Sequence, residues 1–196
     1  MRDLILDLGE RILVVLLFAG FLVANARSRD WADLLLVGLE SIAVVFILAR
    51  RRATSVSDRA SDWVLAMGGT FAVLLARPES RHMAPDVARA LIIVGSLVAT
   101  IAKLSLNRRF GFAPANRGIQ ASWAYAVVRH PIYLGYTIAE IGYLLYNPSL
   151  RNLIVYTIAT GLQLARIVRE ERLLMQDADY RAYAGRVRFR LVPGVY

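Results

Sequence analysis

The stretch RHPIYLGYTIAEIGYLLYNPS, residues 129–149, defines the fold of the second half of the chain. Its apolar run begins at Pro131, which fits the first turn of a helix because the N–H that proline lacks would have no helical partner there. The run stops before Pro148, since the residue preceding a proline is pushed out of the helical region. We therefore predict a helix over about 132–146 that ends in a tight turn.

The composition of the whole chain is that of a membrane protein. The 196 residues are 57% hydrophobic and their mean hydropathy is +0.47, which lies outside ordinary soluble composition. A bilayer core of about 30 Å requires about 20 apolar residues from a spanning helix, and two of the apolar segments are shorter than that. We predict an all-α, polytopic membrane helical bundle of five or six spans, drawn from apolar segments at 12–26, 34–49, 63–76, 84–106, 131–146 and 153–168.

The charge distribution indicates how the chain is oriented. A formal net charge of +9 is also found in nucleic-acid binders, but Lys and Arg are concentrated in alternate loops, including RRR at 50–52, and at 166–190. This is the positive-inside pattern of a protein with both termini in the cytoplasm. We predict a multi-pass protein of the bacterial inner (cytoplasmic) membrane that contacts membrane lipids and no nucleic acid.

Two regions of the chain differ in their polar residues. Residues 1–106 form a membrane region of four apolar segments, and residues 107–196 form the predicted catalytic and cofactor-binding region with a helical hairpin. The loop that opens the second region mixes turn signals with Phe110, Phe112 and Trp123, which suits a segment at the membrane surface. The last span is predicted to continue as a cytoplasmic helical extension, either one long helix or an amphipathic helix on the surface.

Candidate chemistry is concentrated around the predicted hairpin. Arg129 and His130 immediately precede a helix whose free N–H groups and positive dipole end favour an anion. Tyr133, Tyr136 and Glu140 follow on one face of that helix, and an ionisable group at membrane depth is a functional candidate. With no cysteine and only two histidines in the chain, the sequence excludes a thiolate site and a histidine-built metal site.

A second group of polar residues is predicted to meet the first. Glu170 and Glu171 in REERLLMQ (169–176) end the last span, and the short NPS turn makes that span the antiparallel neighbour of the helix at 132–146. The pocket between them suits S-adenosylmethionine, because carboxylates accept from ribose hydroxyls. Arginine pairs with the amino-acid carboxylate of that cofactor, and tyrosine faces attract its sulfonium.

The second region contains a series of short motifs, in the order RHPIYLG, NP, EERLL, YRAY at 180–183 and Pro193. This series resembles the C-terminal half of the isoprenylcysteine carboxyl methyltransferase and phospholipid N-methyltransferase family. The resemblance covers about residues 105–193. It implies a polytopic membrane enzyme that uses S-adenosylmethionine without a Rossmann domain. The positions that correspond to the family's cofactor-binding region are Tyr125, Arg129, His130, Tyr133, Leu134, Gly135, Glu170 and Glu171. The chain departs from the family pattern at Trp123, where the family often has glycine, and at Asp177 and Ala178, where it has Phe-Gly.

The activity implied by the resemblance is transfer of a methyl group to a lipophilic small molecule or lipid that arrives from the bilayer. A carboxylate or thiolate acceptor needs no base, whereas an amine needs its proton removed, for which Glu140 or His130 is the candidate. Arg129, His130 and Glu140 are therefore the candidate catalytic residues. The sequence leaves the acceptor and the oligomeric state open.

Other readings of the same residues remain open. A non-catalytic membrane protein, a small transporter or scaffold, could use these polar groups to line a translocation path. A membrane sterol reductase is a further alternative, for which the chain is short. Individually, Arg129 and His130 could be interfacial anchors, Tyr133 could belong to an aromatic belt, and Glu140 could form a structural hydrogen bond to a neighbouring helix.

Overall fold

The computed structural model describes residues 2–25, 41–42, 44–49, 55–56, 59–79, 82–109, 115–116 and 118–196. The predicted all-α class is confirmed, since the regular elements among the described residues are helices apart from one antiparallel pair of two-residue strands, β1 (Ser55–Val56) and β2 (Ala115–Asn116). The α-helices are α1 (Arg2–Asn25), α2 (Ala60–Phe71), α3 (Pro85–Leu106), α4 (Pro131–Tyr146), α5 (Leu150–Leu174) and α6 (Ala178–Arg186). Residues 41–42 and 44–48 are also helical, and short 3-10 helices occur at Ala72–Leu75, Asn107–Arg109 and Trp123–Ala126.

One helix among the described residues, α3, is long and apolar enough to cross a membrane. Its 22 residues correspond to about 33 Å of helix. The short segment predicted at 63–76 forms the 12-residue α2 and a 3-10 turn. Much of the segment predicted at 34–49 lies outside the described residues, as do Phe110 and Phe112 of the predicted surface loop.

The segment predicted as a helical hairpin consists of α4 and α5, which are joined by a tight turn. Pro131 occupies the first helical position of α4. The Oγ of Ser149 caps α5 by accepting from the backbone N–H of Asn152 at 3.3 Å. The buried side chain of Asn152 donates to the carbonyls of Arg77 and Asn147, each at 2.8 Å, and accepts from the Arg77 N–H at 3.0 Å. These bonds fix the turn against the segment that follows α2.

The contact between α3 and α4 depends on small residues. A Cβ added to Gly135 would lie 2.4 Å from the backbone N of Ala99, and one added to Gly95 would lie 2.4 Å from the backbone N of Ala139. Such close approach of helix backbones is typical of small-xxx-small motifs in membrane helices. The glycines therefore set the position of the start of α4 relative to the end of α3.

The C-terminal extension is a separate helix rather than a continuation of α5. After α5 ends at Leu174, the side chain of Asp177 caps α6 by accepting from the backbone N–H groups of Asp179 and Tyr180, at 2.8 and 3.4 Å. Such a cap is favourable because it satisfies N–H groups that have no helical partner. The break folds α6 back toward the start of α4, as its contacts with Arg129 show below.

Candidate functional site

Four parts of the chain meet at the start of α4. The backbone N–H of Arg129 donates to the carbonyl of Phe189 at 2.9 Å, and that of His130 donates to the carbonyl of Arg190 at 2.8 Å. The segment after α6 therefore runs beside the residues that open α4. The end of α5 contributes Glu171 to the same place, so the two motifs that the sequence predicted to meet are brought together.

Glu171 is the centre of this cluster. Glu171 is only 3% exposed. Its Oε1 lies 2.6 Å from Nε of Arg129, 3.3 Å from Nε2 of His130 and 3.4 Å from the hydroxyl of Tyr180. Its Oε2 accepts from Nη2 of Arg129 at 3.1 Å and from Nε of Arg190 at 2.5 Å. Four residues from three parts of the chain thus converge on a single buried carboxylate.

The surroundings of Glu171 keep it ionised. Burial alone raises the pKa of this carboxyl, but hydrogen bonds from His130 and Arg190, with the positive charges around it, outweigh burial and hold the pKa at about 2. An ionised carboxylate only accepts hydrogen bonds, so Nε2 of His130 carries the proton in this contact. The cluster therefore fixes the tautomer of His130 as well as its position.

The guanidinium of Arg129 is almost fully engaged by the protein. Besides Glu171, it donates through Nη1 to the carbonyls of Ala184 and Val187, at 3.4 and 3.2 Å, and the residue is 8% exposed. These bonds tie the end of α6 to the start of α4. Arg129 thereby connects three parts of the chain.

Glu170 has a different environment from its neighbour. It is half-buried, and its Oε2 accepts from the hydroxyl of Tyr133 at 3.1 Å. Burial, followed by the negative charge of Glu170, raises the pKa of Tyr125 well above its ordinary value of 10. Glu170, Tyr125 and Tyr133 thus form a group beside the Glu171 cluster, in which the carboxylate keeps capacity for further hydrogen bonds.

The segment that contains these residues follows a known family pattern. Residues 88–176 match the isoprenylcysteine carboxyl methyltransferase (ICMT) family. The match confirms the resemblance found in the sequence. Comparison with curated proteins and with solved structures finds no match to this chain.

The ICMT-matching segment also contains two buried cations, Lys103 and Arg166, that were not among the predicted site residues. The guanidinium carbon of Arg166 lies 5.3 Å from the ring centre of Tyr133, and Nζ of Lys103 lies 5.3 Å from that of Tyr136. The two rings are in edge contact with centres 6.5 Å apart. Cations over aromatic faces are attracted by the ring quadrupole, so these contacts help to fix the tyrosines.

Three other predicted residues lie away from the Glu171 cluster. Glu140 follows His130 by ten residues, about 15 Å along α4, and it accepts from Nε2 of Gln163 at 2.6 Å and from Oγ1 of Thr160 at 3.3 Å. These bonds to α5 agree with the alternative role of Glu140, a structural hydrogen bond to a neighbouring helix. Gly135 faces α3, and Leu134 packs against the apolar cluster that includes Tyr133 and extends to the C-terminal segment.

Two residues of the cluster lie beyond the ICMT-matching segment. Arg190 was counted in the sequence only as one of many basic residues, and Tyr180 only as part of YRAY. No local spacing identifies Arg190, because its contacts depend on the chain's return after α6. A cavity of about 410 Å³ adjoins α6 and is lined by Gly118, Ile119, Asp177, Asp179, Ala182, Tyr183 and Arg186, none of which was a predicted site residue. Within the described ranges, no group of three or more His, Cys, Asp or Glu could hold a metal ion.

Proposed function

We propose that this protein is an integral membrane methyltransferase that moves a methyl group from S-adenosylmethionine to a lipophilic small molecule or lipid. The observation that carries the proposal is the contact between Arg129 and Glu171. It joins the two halves of the ICMT sequence pattern at one point, although they lie on different helices. The family match favours an enzyme over a transporter or scaffold.

The residues around the cluster have the chemistry that the cofactor requires. Glu170 is a carboxylate with remaining acceptor capacity for a ribose diol. Arg166 and Lys103 already cover one face each of Tyr133 and Tyr136, so a sulfonium could contact only the opposite faces of these rings. S-adenosylmethionine, when bound, supplies a methyl group on a sulfonium. Positive charge disperses during transfer of this methyl group, so an apolar site that excluded water and held the acceptor in line would favour the reaction.

His130 is the better placed of the two candidate bases. Its Nε2 contacts Glu171, which leaves Nδ1 as the nitrogen that can accept a proton from the acceptor. Glu140 is about 15 Å away along α4, with both carboxylate oxygens hydrogen-bonded to α5. For an amine acceptor we therefore assign the base to His130, with Arg129 holding the site together and Glu140 in a supporting role.

The proposal includes the membrane arrangement. We infer five or six spans with both termini in the cytoplasm, and a site at the cytoplasmic end of α4 that the acceptor reaches from the bilayer. Supporting this are the family match, the apolar α3 and the alternating distribution of Lys and Arg. Exposed apolar side chains along α3 form a stripe suited to lipid, namely Val87, Val94, Leu97, Ile101 and Leu104.

Calorimetry on the detergent-solubilised protein tests cofactor binding. We expect the wild type to bind S-adenosylmethionine, and Glu170→Gln to weaken binding by about tenfold or more, because a hydrogen bond involving a charged group contributes about 1.5–3 kcal/mol. Asp86→Asn is the matched control, since Asp86 is exposed at the other end of α3 and its loss should leave binding unchanged. No binding at millimolar cofactor would contradict the proposal.

The acceptor can be identified in membranes that contain the protein. We expect incubation with methyl-labelled S-adenosylmethionine to place label in an extractable lipophilic compound, which mass spectrometry would identify. Membranes with the Glu170→Gln variant should show correspondingly less label. Equal labelling in membranes with and without the protein would argue against methyl transfer.

A further inference from the structure

The amino-acid part of S-adenosylmethionine carries a carboxylate, and the arginine that best fits it is not the one in the RHP motif. Arg129 is 8% exposed, and its nitrogens contact Glu171 and two backbone carbonyls. A carboxylate ligand could reach this guanidinium only by displacing those partners. Breaking a buried pair in this way is strongly unfavourable.

Arg190 is an accessible cation in the same cluster. Its side chain is 38% exposed, and its Nε is bonded to Glu171 at 2.5 Å. Its guanidinium carbon lies 5.1 Å from the ring centre of Tyr196. Arg190 also forms a side-chain hydrogen bond with Tyr196. Because guanidinium presents five N–H donors in a planar fork, the contacts with Glu171 and Tyr196 occupy only part of it, and the remaining donors can bind an anion.

Arg190 is also held in place before any ligand binds. The carbonyl of Arg190 accepts from the N–H of His130 at 2.8 Å, and the buried Leu191 packs with Tyr133 and Ile167. The side chain is therefore fixed at both its backbone and its Nε. Such preorganisation reduces the entropy lost when a ligand is bound.

The charges around Glu171 favour an anion at this position. Two guanidiniums, those of Arg129 and Arg190, contact one carboxylate. These three groups together carry one net positive charge, and Tyr196 is a further group that interacts electrostatically with Arg190. A carboxylate that approached the exposed edge of Arg190 would neutralise this net charge and could form a bidentate pair.

We propose that Arg190 binds the carboxylate of the cofactor's amino-acid part, and that Arg129 is a positioning residue that fixes Glu171, α6 and the start of α4. This assignment rests on the proposed function. It gives the carboxylate to a residue outside the ICMT-matching segment, in the part of the chain that returns to the site after α6.

Two ligands that differ in the amino-acid part test the assignment. S-adenosylhomocysteine has the carboxylate, whereas 5′-methylthioadenosine has the same nucleoside and a thioether without it. In calorimetry on the full-length protein in detergent, we expect Arg190→Met to weaken S-adenosylhomocysteine binding by about 10- to 100-fold and to change 5′-methylthioadenosine binding less than about twofold. Arg188→Met is the control, because Arg188 is exposed two residues away, and it should change neither affinity.

Conservative variants keep the test decisive if Arg190→Met is unstable. Arg190→Lys retains the charge near Glu171 but loses the fork, so we expect a selective loss of S-adenosylhomocysteine affinity that is smaller than in the methionine variant. Arg129→Lys should weaken both ligands together, because it disturbs the whole cluster. A selective loss in Arg129→Lys, or an equal loss of both ligands in the Arg190 variants, would overturn the assignment. If the wild type binds neither ligand, the proposed function itself fails.

Discussion

Replacing Glu171 by glutamine separates the structural part of the site from the ligand-binding part. Glutamine has nearly the same shape, but one carboxylate oxygen becomes an NH₂ group that cannot accept from the surrounding donors. The arrangement that keeps most contacts places NH₂ at the Oε2 position, where Nη2 of Arg129 and Nε of Arg190 donate. Each such bond contributes about 1.5–3 kcal/mol to stability. Arg190 is partly exposed, so hydrogen bonds to water would replace part of the contribution of its lost bond. We expect a net loss of about 2–4 kcal/mol of stability.

Thermal unfolding of the detergent-solubilised protein measures this loss. For a chain of this size, about 2–4 kcal/mol corresponds to a decrease in Tm of about 5–15 °C. Glu170→Gln is the matched control, because Glu170 is half-buried and is bonded to Tyr133 rather than to the arginine cluster. It should change Tm by less than about 3 °C while it weakens cofactor binding. A Glu171→Gln protein as stable as the wild type would refute the view that this carboxylate organises the site.

The pH dependence of the same measurement gives an independent check. The pKa of Glu171 is held at about 2, below its ordinary value of 4.5. The ionised carboxylate therefore stabilises the folded state fully above pH 4.5, and the stabilisation is lost as the pH falls toward 2. We expect the difference in Tm between wild type and Glu171→Gln to shrink over this range. A difference that stays constant from pH 6 to pH 3 would contradict the assigned pKa.

Three further changes test the helix contacts around the site. Gly135→Ala should lower the free energy of unfolding by about 1–3 kcal/mol, because the added Cβ would lie 2.4 Å from a backbone atom of α3. Gly161→Ala on α5 is the control, since its Cβ would meet nothing within 4 Å. Thermal unfolding should show this control to be neutral or slightly stabilising. Asn152→Ala should lower stability by about 2–4 kcal/mol in the same assay, because it leaves backbone groups of Arg77 without their partners. Glu140→Gln should leave S-adenosylmethionine affinity within about twofold of the wild type by calorimetry, since the residue lies about 15 Å from His130 along α4; a tenfold loss would place it at the site.

The two adjacent glutamates show what kind of information a motif contains. The pair EE in REERLL predicts that carboxylates reach the cofactor region, but it treats the two residues alike. Adjacent helical residues point about 100° apart, so only one of them can face Arg129. The structure gives that position to Glu171 and directs Glu170 toward Tyr133. The choice depends on the rotation of α5 about its axis, which packing sets.

The small-residue contact between α3 and α4 is a similar case. The spacings Gly95 to Ala99 and Gly135 to Ala139 are visible in the sequence, but they become a helix interface only when the two helices are placed side by side. Gly135 was predicted as a cofactor-binding residue because it belongs to the RHPIYLG motif. In the structure its Cα faces the backbone of α3. One glycine in a motif can therefore serve packing as well as the site that the motif marks.

The sequence by itself determined the helical class, the limits of α4 and the meeting of the RHP and EE motifs. These follow from local causes, since Pro131 and the Asn-Pro turn define the helix and a short turn makes its neighbour antiparallel. Only the tertiary structure decided that Arg190 and Tyr180 contact Glu171. Their positions depend on the break after Leu174 and on the return of the chain beside Arg129. Such long-range contacts result from the combined packing of several segments, and no single stretch of sequence specifies them.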